Sequence, residues 1–450
     1  VAMWKRILRL ALPSILTFSS MTLTGMLTLI IVGRLGPTAI AVVGICNIFM
    51  YNVWALFAGL NESINFLVSQ NFGENKMLEG NKRMQAALLI ALALDVIWIV
   101  ACIVLPREIL VMLGANRAIV TAGTPYLGVR MFSFAFTMFT VVFFAYMRAV
   151  GDTRTPMIIS IITNGLLIVL TYFLTYGALG WRGFGLQGAA WSMVITEGLG
   201  FVLSLIVYYG WYAKRFATRT WYGIEWSRIR LLAKESIKLS VMELSMSLGM
   251  LIFTMCITRL GTTAVAANEI ALNILSLGFM PANGFGAAAT VIVGQDIGAG
   301  APAQARKGGL LTAAGGLIFM ALFSIFLWLF ALPVSKIYTS DPAVYLLSIS
   351  LIHIASFIQL FDGANIIFAG GLRGVGDTTY LYRMSLISNW LVFIPLTLIL
   401  VLVVHLGQVG AWISLATLIV LLGVGNATRY LTLDWGSVSV IRSGPSVEQG

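Results

Sequence analysis

Apolar residues in this 450-residue chain come in runs too long for the elements of a soluble core. A bilayer core of roughly 30 Å is crossed by about 20 helical residues. Runs of that order fall at about 9–33, 38–70, 84–105, 121–148, 156–179 and 184–211. After a polar stretch they resume at about 233–260, 264–297, 308–330, 343–372, 380–404 and 406–428. The pattern predicts an all-α polytopic membrane protein with twelve transmembrane helices. Several runs exceed about 25 residues, so tilt or kinking is expected. Pro13, Pro281 and Pro395 lie inside runs, where each frees a backbone carbonyl.

The polar punctuation repeats at a constant distance. Arg34-Leu35-Gly36-Pro37-Thr38-Ala39 returns as Arg259-Leu260-Gly261-Thr262-Thr263-Ala264, and 259 − 34 = 225. Val68, Gln70 and Gly73 return as Val293, Gln295 and Gly298. Arg148-Ala149-Val150-Gly151-Asp152-Thr153 returns as Arg373-Gly374-Val375-Gly376-Asp377-Thr378, and Asn164 as Asn389. Four motifs at one offset define two homologous halves, a mark of transporters built from repeats. Six helices per half is an even number, so both halves enter the membrane in the same direction. Two six-helix bundles related by a pseudo-twofold along the membrane normal are expected, with the substrate path between them.

Composition agrees, with 59% hydrophobic and 10% charged residues and a mean hydropathy of +0.94, where soluble domains carry roughly 25% charged residues. The net charge of +11 does not point to nucleic acid, because Lys and Arg collect in alternate loops. The basic-rich side includes Lys5, Arg6, Lys82, Arg83, Arg154, Lys214 through Lys238, and Arg306. By the positive-inside rule, that side and both termini are cytoplasmic. Residues 1–211 are then an amino-terminal lobe, 212–232 a cytoplasmic basic linker, 233–428 a carboxy-terminal lobe and 429–450 a cytoplasmic tail. The first run lacks a cleavage site and reads as a membrane helix rather than a signal peptide. A chain beginning at Val1 is expected to lack its true start. Cys46, Cys102 and Cys256 sit in apolar runs and are expected as buried free thiols.

Three stretches are family-specific. The first is Ala266-Ala267-Asn268-Glu269-Ile270-Ala271-Leu272-Asn273-Ile274 with Phe279-Met280-Pro281 and Val293-Gly294-Gln295. The others are Val32-Gly33-Arg34-Leu35-Gly36 and Leu372 through Thr378. In these the chain resembles the multidrug and toxic compound extrusion (MATE) transporters of bacteria, over nearly its whole length. The resemblance implies two six-helix lobes in a V and export of amphipathic, often cationic compounds in exchange for Na⁺ or H⁺. Many bacterial members carry a first-helix Asp where this chain has Thr28. They also carry a fifth-helix Asn and Asp where it has Leu167 and Thr171. The carboxy half keeps its acids: Glu243 matches the family's seventh-helix Glu and Asp362 a tenth-helix Asp.

Counting residues places the same acids independently. Glu243 lies about nine residues beyond Lys234, and Asp362 eleven before Arg373, so each is roughly 13–17 Å deep. An acid at that depth costs about 2.5–3.5 kcal/mol to insert. Glu243 and Asp362, with Asn273 and Asn365 as added oxygen ligands, are therefore the expected site for a monovalent cation (Na⁺, K⁺ or H⁺). Two neighbouring carboxylates titrate as a coupled pair. Glu197, central in its run, is a possible substitute proton site in the amino lobe. Asp95 and Arg130 read as a structural ion pair on adjacent helices, Glu62 as an acid reaching toward water, and His353 as structural. Gly183-Phe184-Gly185-Leu186-Gln187-Gly188 spells a dinucleotide fingerprint without the strand that it requires. No nucleotide-binding or metalloprotease motif is present, so no cofactor is expected, the chain is not an enzyme, and an ion gradient supplies the energy.

The function expected is cation-coupled antiport of a bulky amphipathic compound by a monomer in the bacterial inner membrane. One alternative is a dedicated exporter of a secondary metabolite such as a colibactin precursor. A second, a lipid-linked oligosaccharide flippase, needs several cavity-facing cations, where only Arg130 lies well inside a helix. A third, an ion channel, lacks a filter-like motif.

Overall fold

The computed structural model describes residues 2–442; Val1 and residues 443–450, part of the expected tail, lie outside the described residues. Twelve helices are long and apolar enough to cross a membrane. They are α1 (Ala2–Gly33), α2 (Pro37–Gly73), α3 (Met77–Val104), α4 (Arg117–Ala149), α5 (Arg154–Tyr176) and α6 (Leu186–Phe216) in the first half. In the second they are α7 (Trp226–Thr258), α8 (Thr262–Gly298), α9 (Pro302–Leu329), α10 (Pro342–Val375), α11 (Thr378–Val403) and α12 (Gly407–Thr432). No strand occurs among the described residues.

The helices overrun the apolar runs. α6 continues to Phe216 and α7 starts at Trp226, leaving only 217–225 as non-helical linker. Lys214, Arg215, Arg228 and Arg230 carry their charge on long stems that reach water from a helical backbone, so polarity there does not end the helix. The linker is pinned from both sides. Gln85 Nε2 donates to Thr220 O (2.5 Å), Tyr222 N donates to Gln85 Oε1 (3.1 Å), and Arg228 pairs with Glu79 (2.8 Å).

The sequence repeat is also a structural one. α2 and α8 begin at 37 and 262 and end at 73 and 298, again 225 apart, and α3 and α9 match likewise. Asn116 caps α4 by accepting from Ile119 N (3.0 Å), and its counterpart Asp341 caps α10 by accepting from Ala343 N (3.0 Å). Asn164 Nδ2 donates to Ser20 Oγ (3.0 Å), and Asn389 Nδ2 donates to the counterpart Ser245 Oγ (3.1 Å). The repeat breaks in α11, which opens into π-type turns at Ser388–Phe393 and Ile399–Val403 around Pro395.

The described chain forms two compact units. One, here the amino lobe, holds residues 16–68 and 76–237. The other, the carboxy lobe, holds 238–441 together with 2–15 and 69–75. α1 and α2 thus each contribute one end to the unit built by the second half, where the expected division followed the sequence. Within the carboxy lobe Arg6 binds Asp296 (2.7 Å) and Gln295 Oε1 (3.0 Å). Gln70 Nε2 donates to Gly374 O (2.9 Å), while Gln70 Oε1 accepts from Ile441 N (3.0 Å).

In the carboxy lobe α10 packs along α8, α9 and α12. Small residues allow the approach, as between membrane helices generally. A Cβ on Gly370 would lie 2.3 Å from Gly286 O, and one on Gly423 2.6 Å from Phe361 O. In the amino lobe α4 packs against α3 and α6, with rings of Trp98, Phe134, Phe143, Tyr146 and Tyr208 filling the seams. Cys46, Cys102 and Cys256 are buried and free, as expected.

Repeat-related Gly73 and Gly298 make reciprocal contacts: a Cβ on Gly73 would sit 1.9 Å from Gln295 O, and one on Gly298 2.0 Å from Gln70 O. Gly73→Ala and Gly298→Ala should each destabilise by about 1–3 kcal/mol, read as a lower unfolding midpoint in detergent. Gly44→Ala, with open space around it, should not; equal midpoints for all three would refute the crossing.

Candidate functional site

Asp362 lies at the middle of α10, where the helix is enclosed by its neighbours. Its side chain is buried, 7% exposed. Asn365, one turn on, lies beside it, and Asn365 Oδ1 accepts from Asn426 Nδ2 of α12 (2.9 Å). Asn426 is itself buried, with an Oδ1 that has no hydrogen-bond partner among the described residues. A carboxylate and two carboxamides thus line up across α10 and α12, and every ligand atom they offer is a hard oxygen of the kind an alkali ion takes. Among the described residues Asp362 has no cationic partner.

Glu243 is half-buried on α7. Met242 before it packs against the apolar cluster that Ala364 joins, and Met246 after it packs against the cluster that Phe361 joins. The α7 segment around Glu243 and the α10 segment around Asp362 therefore serve the same two clusters. Asn273 turns back onto its own helix, Nδ2 donating to Glu269 O (3.0 Å), and has no part in the Asp362–Asn365–Asn426 line. Among the described residues no group of three or more His, Cys, Asp or Glu could hold a metal ion.

The amino lobe contains a cavity of about 630 Å³. Its wall includes Thr28, Leu167 and Thr171, the positions where the resemblance implies an Asp, an Asn and an Asp, and also Arg130 and Glu197. Tyr51, Trp54, Tyr126 and Phe134 give it aromatic walls, and Met21, Met26, Met50 and Met193 adaptable ones. The expected Asp95–Arg130 ion pair does not form. Asp95 Oδ1 and Arg130 Nη1 are both buried without a hydrogen-bond partner among the described residues. The reason is helical phase. Met131 is the α4 residue that meets α3, its carbonyl accepting from Trp98 Nε1 (2.7 Å). Arg130, one residue and about 100° away, faces the cavity instead. Glu197 lies beside the Thr137 hydroxyl. Glu62 accepts from Asn61 Nδ2 (3.2 Å), and Asn61 Oδ1 accepts from Arg148 (2.8 Å), so Glu62 belongs to a polar cluster inside the lobe. His353 stacks on Trp328 at 4.3 Å, in keeping with a structural role.

Two residues escaped sequence reasoning. Asn426 gave no signal, because a lone Asn in an apolar run reads as a polar accident. Asn268 stood within a quoted motif but without a role. Its buried Oδ1 accepts from Trp412 Nε1 (2.9 Å), tying α8 to α12.

Twelve spans in two repeated halves, with ionisable groups held at depth inside each lobe, define a secondary transporter of the membrane rather than an enzyme. The comparisons name the family. The MatE family pattern matches the chain twice, over residues 13–173 and 239–399, and the chain belongs to that family of multidrug efflux transporters. It is 26% identical over 449 residues to a probable multidrug resistance protein NorM of Thermotoga maritima, covering 97% of this chain and 94% of that one. It is 31% identical over 421 residues to a NorM of Xanthomonas campestris, covering 90% and 89%. Among solved structures, an outward-facing multidrug resistance MATE transporter matches with a TM-score of 0.86 at 21% identity, covering 95% and 96%. A MOP superfamily transporter from Pyrococcus furiosus matches with a TM-score of 0.84 at 21% identity over the same shares.

Trp412→Phe would leave buried Asn268 Oδ1 unpaired, at a cost of about 1–3 kcal/mol. A thermal melt should show the loss, and adding Asn268→Leu should recover much of it, since removing both partners leaves no orphan. A single variant as stable as wild type would show that the bond contributes nothing.

Proposed function

We propose that this chain exports amphipathic organic compounds across the bacterial inner membrane by alternating access, in exchange for a monovalent cation held in the carboxy lobe. The observation that supports this reading best is Asp362, a buried carboxylate without a cationic partner, continued by Asn365 and Asn426. Such a group is costly at that depth unless neutralised. A proton or an alkali ion neutralises it equally, so the two compete for one place. Glu243 on α7 supplies the second carboxylate. Asn273, folded onto its own helix, is not needed as a ligand.

The substrate occupies the amino-lobe cavity, whose size and aromatic and Met-rich walls suit a bulky apolar body. Coupling requires only that cation and substrate favour different states of the transporter. Cation binding then promotes release of substrate to the outside, and substrate binding inside promotes release of the cation. The relatives named above are described as multidrug resistance proteins, which is consistent with a cavity that reads shape loosely. The protein acts as a monomer with both termini in the cytoplasm, as its loop charges indicate.

The test is export from proteoliposomes with Na⁺, K⁺ and H⁺ gradients imposed one at a time. One gradient should drive export. Asp362→Asn and Glu243→Gln should each lower it by roughly tenfold or more, the loss of a charged ligand, with membrane insertion unchanged. Full ion-driven activity in both variants would refute the mechanism.

A further inference from the structure

Tryptophan and basic residues interleave where α6 passes through the linker into α7, within the amino lobe. Trp211, Trp221 and Trp226 are 77%, 60% and 75% exposed, each more than any other tryptophan among the described residues. Lys214 and Arg215 lie one turn beyond Trp211 on α6. Arg230, Lys234 and Ile237 follow Trp226 at spacings of four, four and three, so one exposed face of α7 reads Trp, Arg, Lys, Ile. The export mechanism uses none of these residues. Their charge is not spent within the protein. Glu79 and Glu225 both bind Arg228, and among the described residues no acid pairs with Lys214, Arg215, Arg219, Arg230 or Lys234.

The backbone that carries these cations is fixed. Asn81 Nδ2 donates to Phe216 O (2.5 Å), Thr218 Oγ1 to Tyr208 O (2.6 Å) and Arg219 Nε to Tyr209 O (2.6 Å). The last bond holds the Arg219 guanidinium by one edge and leaves both of its amino groups without a partner among the described residues. Such a group offers paired N–H donors to phosphate oxygens. Tryptophan at the edge of a membrane settles at headgroup level, and each Lys or Arg there is drawn to an anionic leaflet. We propose that this surface binds acidic phospholipid headgroups of the leaflet that it borders, the cytoplasmic one by the loop-charge reading above. The three indoles seat the linker among the headgroups, Arg219 donates to the phosphodiester, and the other four cations hold its charge. A headgroup with its own ammonium or choline brings a further cation into the array, so phosphatidylglycerol is selected over zwitterionic lipids. The proposal stands apart from the substrate cavity and from the cation at Asp362, and holds whether or not export is ion-driven.

The test reads tryptophan fluorescence of the full chain in phosphatidylcholine vesicles that carry a minor fraction of brominated phosphatidylglycerol, or the same fraction of brominated phosphatidylcholine. Bromine quenches the rings that it touches. Phosphatidylglycerol should quench more, by an excess that corresponds to about fivefold enrichment at the linker, the attraction of roughly one cation. The excess should vanish when Trp211, Trp221 and Trp226 are replaced together by Phe, which places the signal. It should also vanish when Lys214, Arg215, Arg219, Arg230 and Lys234 are replaced together by Gln, and it should persist when inorganic phosphate is added at constant ionic strength. The wild-type comparison needs no variant to fold. Equal quenching by the two lipids overturns the proposal, as does an excess that survives either set of substitutions. An excess abolished by inorganic phosphate would assign the surface to a soluble anion and overturn it as well.

Discussion

The carboxy lobe depends on the closeness with which α10 lies against α8 and α12. Gly370 meets the Gly286 backbone, and Phe361 O meets Gly423, at distances that no larger residue would tolerate. In a bilayer there is little hydrophobic force to draw apolar helices together, so such backbone contact is what holds a bundle. It also decides where polarity can sit. Asp362 lies one residue beyond Phe361 and eight before Gly370, and is itself only 7% exposed, so protein rather than lipid surrounds its carboxylate. Asn365, one turn on, lies beside it, and Asn426 reaches Asn365 across a seam too narrow for a larger side chain at Gly423.

The repeat shows how one frame carries two chemistries. The amino-half counterpart of Asp362 is Thr137, since 362 − 225 = 137, and Thr137 is the residue beside Glu197. Each lobe therefore places an acid at the same level. In the carboxy lobe α10 supplies it directly. In the amino lobe α6 supplies it against the α4 counterpart. Around Glu197 the wall opens into a cavity of about 630 Å³, while around Asp362 it closes on carboxamides. The shared framework, seen again in the paired Asn164–Ser20 and Asn389–Ser245 bonds, leaves one lobe shaped for a bulky guest and the other for a small one.

Most of the fold was legible in the sequence because bilayer thickness imposes run length, and a 225-residue offset imposes the repeat. Helix ends were less legible, since lysine and arginine stems let α6 and α7 extend into the expected linker. Depth could be counted from Lys234 and Arg373, but azimuth could not. That is why Arg130 and Asp95, at matching depth on adjacent helices, were read as a pair although Arg130 faces the cavity. It is also why Asn426, which meets Asn365 from another helix, went unread. The short helices Pro106–Met112 and Ala331–Tyr338 fell below the length that an apolar run can announce.

The central claim is that the exchangeable cation is held at Asp362. Infrared difference spectroscopy of the purified protein reads it directly, through the carboxyl band that changes when the coupling cation is added or the pH is raised. The account predicts that this change disappears in Asp362→Asn and persists in Glu197→Gln. A change that persists in Asp362→Asn and disappears in Glu197→Gln would place the working site in the amino lobe and contradict the account.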